Sequence, residues 1–194
     1  MVCAMASLAH GATVEWNLEQ RGQLKGSGCD TMAQDTFLIE AGEQFSIIFT
    51  RFQARLDAGD NRKAEVNCRG SIPIAVHGDR YLDRIEQTLG YGWSKSKGAM
   101  ARISARNKWY GRALSPINVN VESWKVGTDA YEEVFTQDDL KWGCKPNDVR
   151  KGSLDLDFSL VVQRSHPANE TIDVNLAGHD MRYTAQTVWK NCNP

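Results

Sequence analysis

The chain has 194 residues, with 23 lysines and arginines against 24 acids and a formal net charge of -1. That length allows one well-formed core and falls short of two full domains. So even a charge excludes bulk attraction to nucleic acid or to an anionic membrane, and leaves any electrostatic recognition to local clusters.

The first dozen residues, MVCAMASLAHGA, are small and apolar, and the first positive charge is Arg21. This resembles the apolar stretch and small-residue cleavage site of a secretory signal without its basic start. Residues 1–12 are therefore expected to be a residual signal-peptide segment, the alternative being a short N-terminal arm. A single β domain with a C-terminal elaboration after about residue 115 is expected over 13–194. Beyond the N-terminus no apolar run approaches the roughly 20 residues of a spanning helix. The expected location is secreted or periplasmic.

Period-two patterns dominate from there on. Strands are predicted at Val14–Glu19, Thr36–Glu40, Gln44–Leu56, Arg62–Cys68, Ile72–Val76 and Leu82–Thr88, then at Ala99–Arg106 and Ile117–Trp124. Thr136–Leu140 reads as a short helical turn capped by Thr136. The cleanest strand is Ser153–Val162, where Leu154, Leu156, Phe158, Leu160 and Val162 alternate with Ser153, Asp155, Asp157 and Ser159. One face of it should be buried and the other wet. Thr171–Leu176 and Arg182–Trp189 complete the set. Turn residues fall between these segments, Gly90-Tyr91-Gly92 and Ser115-Pro116 among them. Short strands at this spacing predict a mainly β, antiparallel, jelly-roll-like β-sandwich.

Without Cys3, four cysteines remain: Cys29, Cys68, Cys144 and Cys192. An even number in an exported chain predicts two disulfides, for which three pairings exist. Cys29–Cys68 with Cys144–Cys192 is favoured, because each bridge stays within one half and the second ties down the C-terminus. The cysteines lie too far apart for a zinc site, and no metal or other cofactor is expected.

The segment from Gly26 to about Gly111 resembles DUF4360, a family of secreted domains of unknown function. Gly26-Ser27-Gly28-Cys29, the strand at Phe45–Phe52, the turn Asp60-Asn61-Arg62-Lys63 running into Asn67-Cys68, Pro73, and the strand pair ending near Tyr110-Gly111 carry the resemblance. Asp30 departs from it, standing where the family often has proline. The resemblance implies export and agrees with a Cys29–Cys68 bridge. It implies no activity and no catalytic residue.

No nucleophile elbow, zincin helix, phosphate loop or calcium loop is present. His77, His166 and His179 are expected to be surface or turn residues. The Asp155/Asp157 pair, and Asp57, Asp60 and Asn61, could serve a glycosidic cleavage or a cation, but solvated strand and turn residues account for both. Between Glu86 and Glu122 there is no acid, while Lys95, Lys97, Arg102, Arg106, Lys108 and Arg112 all occur. Tyr91, Trp93, Trp109 and Tyr110 are interleaved with them. Basic groups beside flat rings suit an acidic glycan or cell-surface polymer. The candidate ligand residues are thus Trp93, Lys95, Lys97, Arg102, Arg106, Lys108, Trp109, Tyr110 and Arg112. The competing expectation is that this basic stretch lies against the acidic segment that follows, which contains Glu132 and Glu133. Asn169-Glu170-Thr171 is a glycosylation sequon. The sequence therefore predicts an exported, non-enzymatic surface or envelope protein with an anionic-glycan site. A polysaccharide hydrolase or lyase, or a protein-interaction module, is the alternative.

Overall fold

Alternating residues become antiparallel strands wherever one face can be buried. The computed structural model describes residues 14–17, 24–30, 36–50, 52–56, 63–77, 80–95, 99–121, 127–138, 140, 142–143, 149–164, 172–174 and 181–192. In chain order the strands begin with β1 (Val14–Trp16), β2 (Leu24–Gly26), β3 (Cys29–Asp30), β4 (Thr36–Ala41), β5 (Gln44–Phe49) and β6 (Ala54–Leu56). Next come β7 (Lys63–His77), β8 (Arg80–Lys95), β9 (Ala99–Ala105), β10 (Lys108–Trp109), β11 (Arg112–Ala113) and β12 (Ile117–Val121). The last are β13 (Gly127–Gln137), β14 (Trp142–Gly143), β15 (Val149–Arg164), β16 (Ile172–Val174) and β17 (Met181–Asn191).

The larger sheet runs β11–β10–β15–β7–β2–β3, with β9 also on β15, β12 beside β9 and β1 beside β7. The smaller runs β13–β8–β17–β5–β4, with β14 also on β8, and β6 pairs with β16 separately. The two sheets face each other as an antiparallel β-sandwich. Leu154, Leu156, Phe158, Leu160 and Val162 of β15 are all buried, as the alternation required. Phe158 lies 5.3 Å from Phe49 and 5.0 Å from Tyr183, both on the smaller sheet. Trp16 of β1 stacks on Phe45 of β5 at 5.3 Å. These ring contacts carry apolar burial continuously from one sheet to the other.

Cys29 and Cys68 are bridged, tying β3 to β7. Cys192 is also held in a disulfide; Cys144, its expected partner, lies outside the described residues, as do residues 1–12, Lys97 and Asn169.

Several expectations need correction. Arg62–Cys68 and Ile72–Val76 form one strand, β7, which passes through Pro73 because that residue lies between the stretches paired with β1 and β2. Gly90-Tyr91-Gly92 is not a turn but part of β8, paired with β13 throughout and, at Gly90, with β17 as well. Thr136 is not a helix cap: it continues β13, opposite Glu86. The chain after residue 115 contributes strands inside both sheets. It supplies β15 between β7 and β9/β10, and β17 between β5 and β8.

A buried polar knot joins the two sheets. Gln87 of β8 is 0% exposed. Its Oε1 accepts from Asn107 Nδ2 at 3.0 Å and from the Tyr183 hydroxyl at 3.1 Å, while its Nε2 donates to the Ser115 carbonyl at 2.9 Å. Asn107 Oδ1 in turn accepts from the Asp157 backbone N–H at 3.3 Å. Buried amides persist only when satisfied in this way.

Candidate functional site

β9 and β10 run along β15 in one unbroken register, Ala105 opposite Phe158 and Lys108 opposite Asp155. Alternation then points Arg102, Arg106 and Lys108 outward on the same face, and all three are exposed. None of them makes an ion pair among the described residues. Arg102 Nη2 donates to Asn118 Oδ1 at 2.9 Å, a neutral acceptor that steadies the guanidinium and leaves its charge uncompensated.

β7 adds Lys63 and Arg69 to this face, which the linear reading had missed because they lie far away in sequence. Both bring their own acids. Lys63 Nζ is 2.8 Å from Glu65, and its hydrogen bond and charge hold that carboxyl below its usual range. Arg69 Nε is 2.8 Å from Asp157. A groove of about 520 Å³ opens at one end of the face, with Lys63, Arg102, Asn120 and Gln163 around Met100 and Val161.

The remaining candidates do not join this row. Trp109 is 2% exposed and packs edge-on against Trp16 at 5.9 Å, so its ring cannot stack on a ligand. Tyr110 and Gly111 both have positive φ, 49° and 76°, and form the two-residue turn between β10 and β11, the backbone that a tight right-twisted hairpin favours. The Tyr110 ring covers Gly152, its hydroxyl donates to the Arg150 carbonyl at 2.9 Å, and burial pushes its pKa from 10 to about 12 against the pull of Arg150. It is a clamp on the fold. Arg112 is exposed on β11 and donates to the Leu140 carbonyl at 3.2 Å. Trp93 and Lys95 lie on β8, opposite Asp129 and Gly127, and hence in the other sheet.

Only the start of the basic stretch, which carries Lys95 on β8, lies against the acidic segment; the Arg102 part does not. β9 pairs with β12 and β15, whereas Glu132 and Glu133 are on β13, beside β8. Glu133 instead accepts from the Tyr91 hydroxyl at 2.8 Å.

Asp155 and Asp157 sit on the outer face of β15, part-exposed. Asp155 accepts from Ser71 at 2.7 Å and Ser153 at 2.8 Å, while Asp157 holds Arg69. His77 lies 3.1 Å from Glu15 of the neighbouring strand. Among the described residues no group of three His, Cys, Asp or Glu could hold a metal ion. No helix among them is long and apolar enough to cross a membrane.

No family model matches the chain, and no curated protein does. Among solved structures it is similar to the enzymatically active domain of bacteriophage CBA120 tailspike protein 4 (15% identity, TM-score 0.32, 87% of this chain and 20% of that one). It is also similar to an arabinose-bound α-L-arabinofuranosidase (9% identity, TM-score 0.28, 86% and 25%). A third similarity is to a CBM4 structure (11% identity, TM-score 0.25, 79% and 95%). The chain thus spans about a fifth of the tailspike chain and a quarter of the arabinofuranosidase chain. Likeness at this level assigns no ligand and no activity.

Proposed function

We propose that this protein is an exported, non-enzymatic binding module that holds an acidic glycan or other anionic surface polymer along the outer face of its larger sheet. The observation that carries the reading is the row Arg102, Arg106 and Lys108, exposed on one face and free of ion pairs among the described residues. At about 3.3 Å per residue the three groups are spaced roughly 13 Å and 7 Å apart. A polymer with regularly repeated carboxylates or sulfates can engage such a row at several points, and weak exposed contacts then act together. Export rests on the N-terminal segment and the even set of cysteines. The commitment of Asp155 and Asp157 to Arg69, Ser71 and Ser153 on the outer face supports binding over glycosidic cleavage.

Affinity gel electrophoresis in polygalacturonate and chondroitin sulfate tests this. Retardation is expected at low salt, weakening at about 0.3 M NaCl as screening shortens the reach of each charge. R102E/R106E/K108E should lower the apparent affinity about tenfold or more. No retardation in either polymer, or equal retardation of the charge-reversed variant, would refute the proposal.

A further inference from the structure

The outer face of the smaller sheet, on the opposite side of the sandwich from the Arg102 row, carries a groove of about 310 Å³ crossing β5, β17, β8 and β13. Gly90 of β8 lies on its floor, with Arg182 of β17 on one side and Glu132 of β13 on the other. This glycine is unexplained by the fold. Gly26, Gly28 and Gly152 stand where a methyl group would overlap a neighbour, and Gly42 and Gly111 have the positive φ of turns. Gly90 has neither reason: its φ is not positive, and a Cβ there would meet nothing closer than 3.8 Å. A glycine inside a central strand weakens that strand and marks a place where something else comes close to the backbone. Here its missing side chain is what opens the groove.

The walls tell what would come close. Gln44 and Gln186 face each other across β5 and β17, and Thr184 and Thr88 across β17 and β8. Amides and hydroxyls both donate and accept, and the charges are balanced: Arg84 Nε holds Glu86 at 2.8 Å, and Arg182 and Glu132 stand on either side of Gly90. The groove therefore carries little net charge and offers no cationic row to the polyanion proposed for the other face. The most exposed apolar side chains of this face, Phe37, Ile39 and Val134, lie on its outermost strands, 51%, 45% and 59% exposed. A polar centre spanning about 14 Å over three strand gaps, with mixed donors and acceptors, matches the hydroxyls of an uncharged sugar chain.

We infer that this groove is a second binding site, for a neutral polysaccharide, and that the protein engages different glycans on its two faces. The site stands whether or not the Arg102 row binds an acidic polymer.

Gly90→Val makes a clean test, because the strand has room for the side chain and gains a β-branched residue. The full chain is run in affinity gels containing hydroxyethylcellulose, xyloglucan, galactomannan or dextran, with polygalacturonate alongside. At least one neutral polymer should retard the wild type with little dependence on salt. Gly90→Val should weaken that binding about tenfold or more with Tm at or above the wild-type value, and R102E/R106E/K108E should leave it unchanged. Gln186→Ala, on the wall, should also weaken it and serves if Gly90→Val does not fold. Absence of retardation in all the neutral gels overturns the inference, as does wild-type binding by the folded variants. The polygalacturonate lane reports separately on the anionic face.

Discussion

Gln87 is the place where one side chain holds both sheets in register. Gln87→Leu keeps the volume and apolar bulk of the side chain but removes three hydrogen bonds at once. The Tyr183 hydroxyl proton loses its acceptor, one Asn107 amide hydrogen loses its acceptor, and the Ser115 carbonyl loses its donor. Each buried group left unpaired costs about 1–3 kcal/mol, partly offset by the buried leucine, for a net destabilisation of about 3 kcal/mol. In a chain of this size that lowers Tm by roughly 6–12 °C. Tyr183→Phe in the wild-type background should cost only about 1 kcal/mol, since Gln87 Oε1 keeps Asn107. In the Gln87→Leu background the sign reverses, because the phenylalanine removes a buried hydroxyl with no acceptor for its proton. The double variant should therefore be more stable than Gln87→Leu alone. Guanidinium unfolding of the four proteins at 25 °C, without reductant, measures the cycle. Additive effects, or a Gln87→Leu change below about 1 kcal/mol, would show that the knot does not couple the sheets.

Replacing Cys29 and Cys68 together with alanine opens a loop spanning 39 positions; chain entropy sets the loss at about 4 kcal/mol, and an unchanged denaturation midpoint contradicts it. Gly152→Ala drives a methyl group into the Tyr110 ring and should cost about 1–3 kcal/mol by overpacking, read by the same unfolding assay. Burial raises the Tyr110 pKa to about 12 and raises that of Tyr183 as well. The folded state thus keeps protons that the unfolded chain gives up near pH 10, so stability falls as pH rises from about 10 towards 12. Absorbance at about 295 nm should show these two tyrosines ionising only near or after unfolding; full tyrosine titration near pH 10 in a still-folded protein contradicts the assignment.

The faces of individual strands were legible in the chain itself. Leu154 to Val162 alternate with a period of two, and that period is a local property of the backbone. The Cys29–Cys68 bridge was legible as part of the favoured pairing among three once Cys3 is set aside, because it stays within one half of the chain. Pairing across the sheets was not. Whether Arg102 meets Glu132 depends on which strands lie side by side, and no local pattern encodes that.

Composition alone also misjudged Trp109. A tryptophan among basic residues looks the same whether its strand position faces in or out, and the register of β10 on β15 turned it inward while turning Lys108 outward. Gly90 shows the same limit. In sequence Gly90-Tyr91-Gly92 reads as a turn, because glycine's local preference is for turns. Only pairing with β13, and at Gly90 with β17, keeps it within a strand and makes the missing side chain of Gly90 the floor of a groove. The sequence by itself determined the mainly β class and the buried face of strands such as Ser153–Val162, which are set by neighbours along the chain. Tertiary structure alone decided which charges share a face, which aromatic is hidden and where the grooves open, because each depends on residues far apart in sequence.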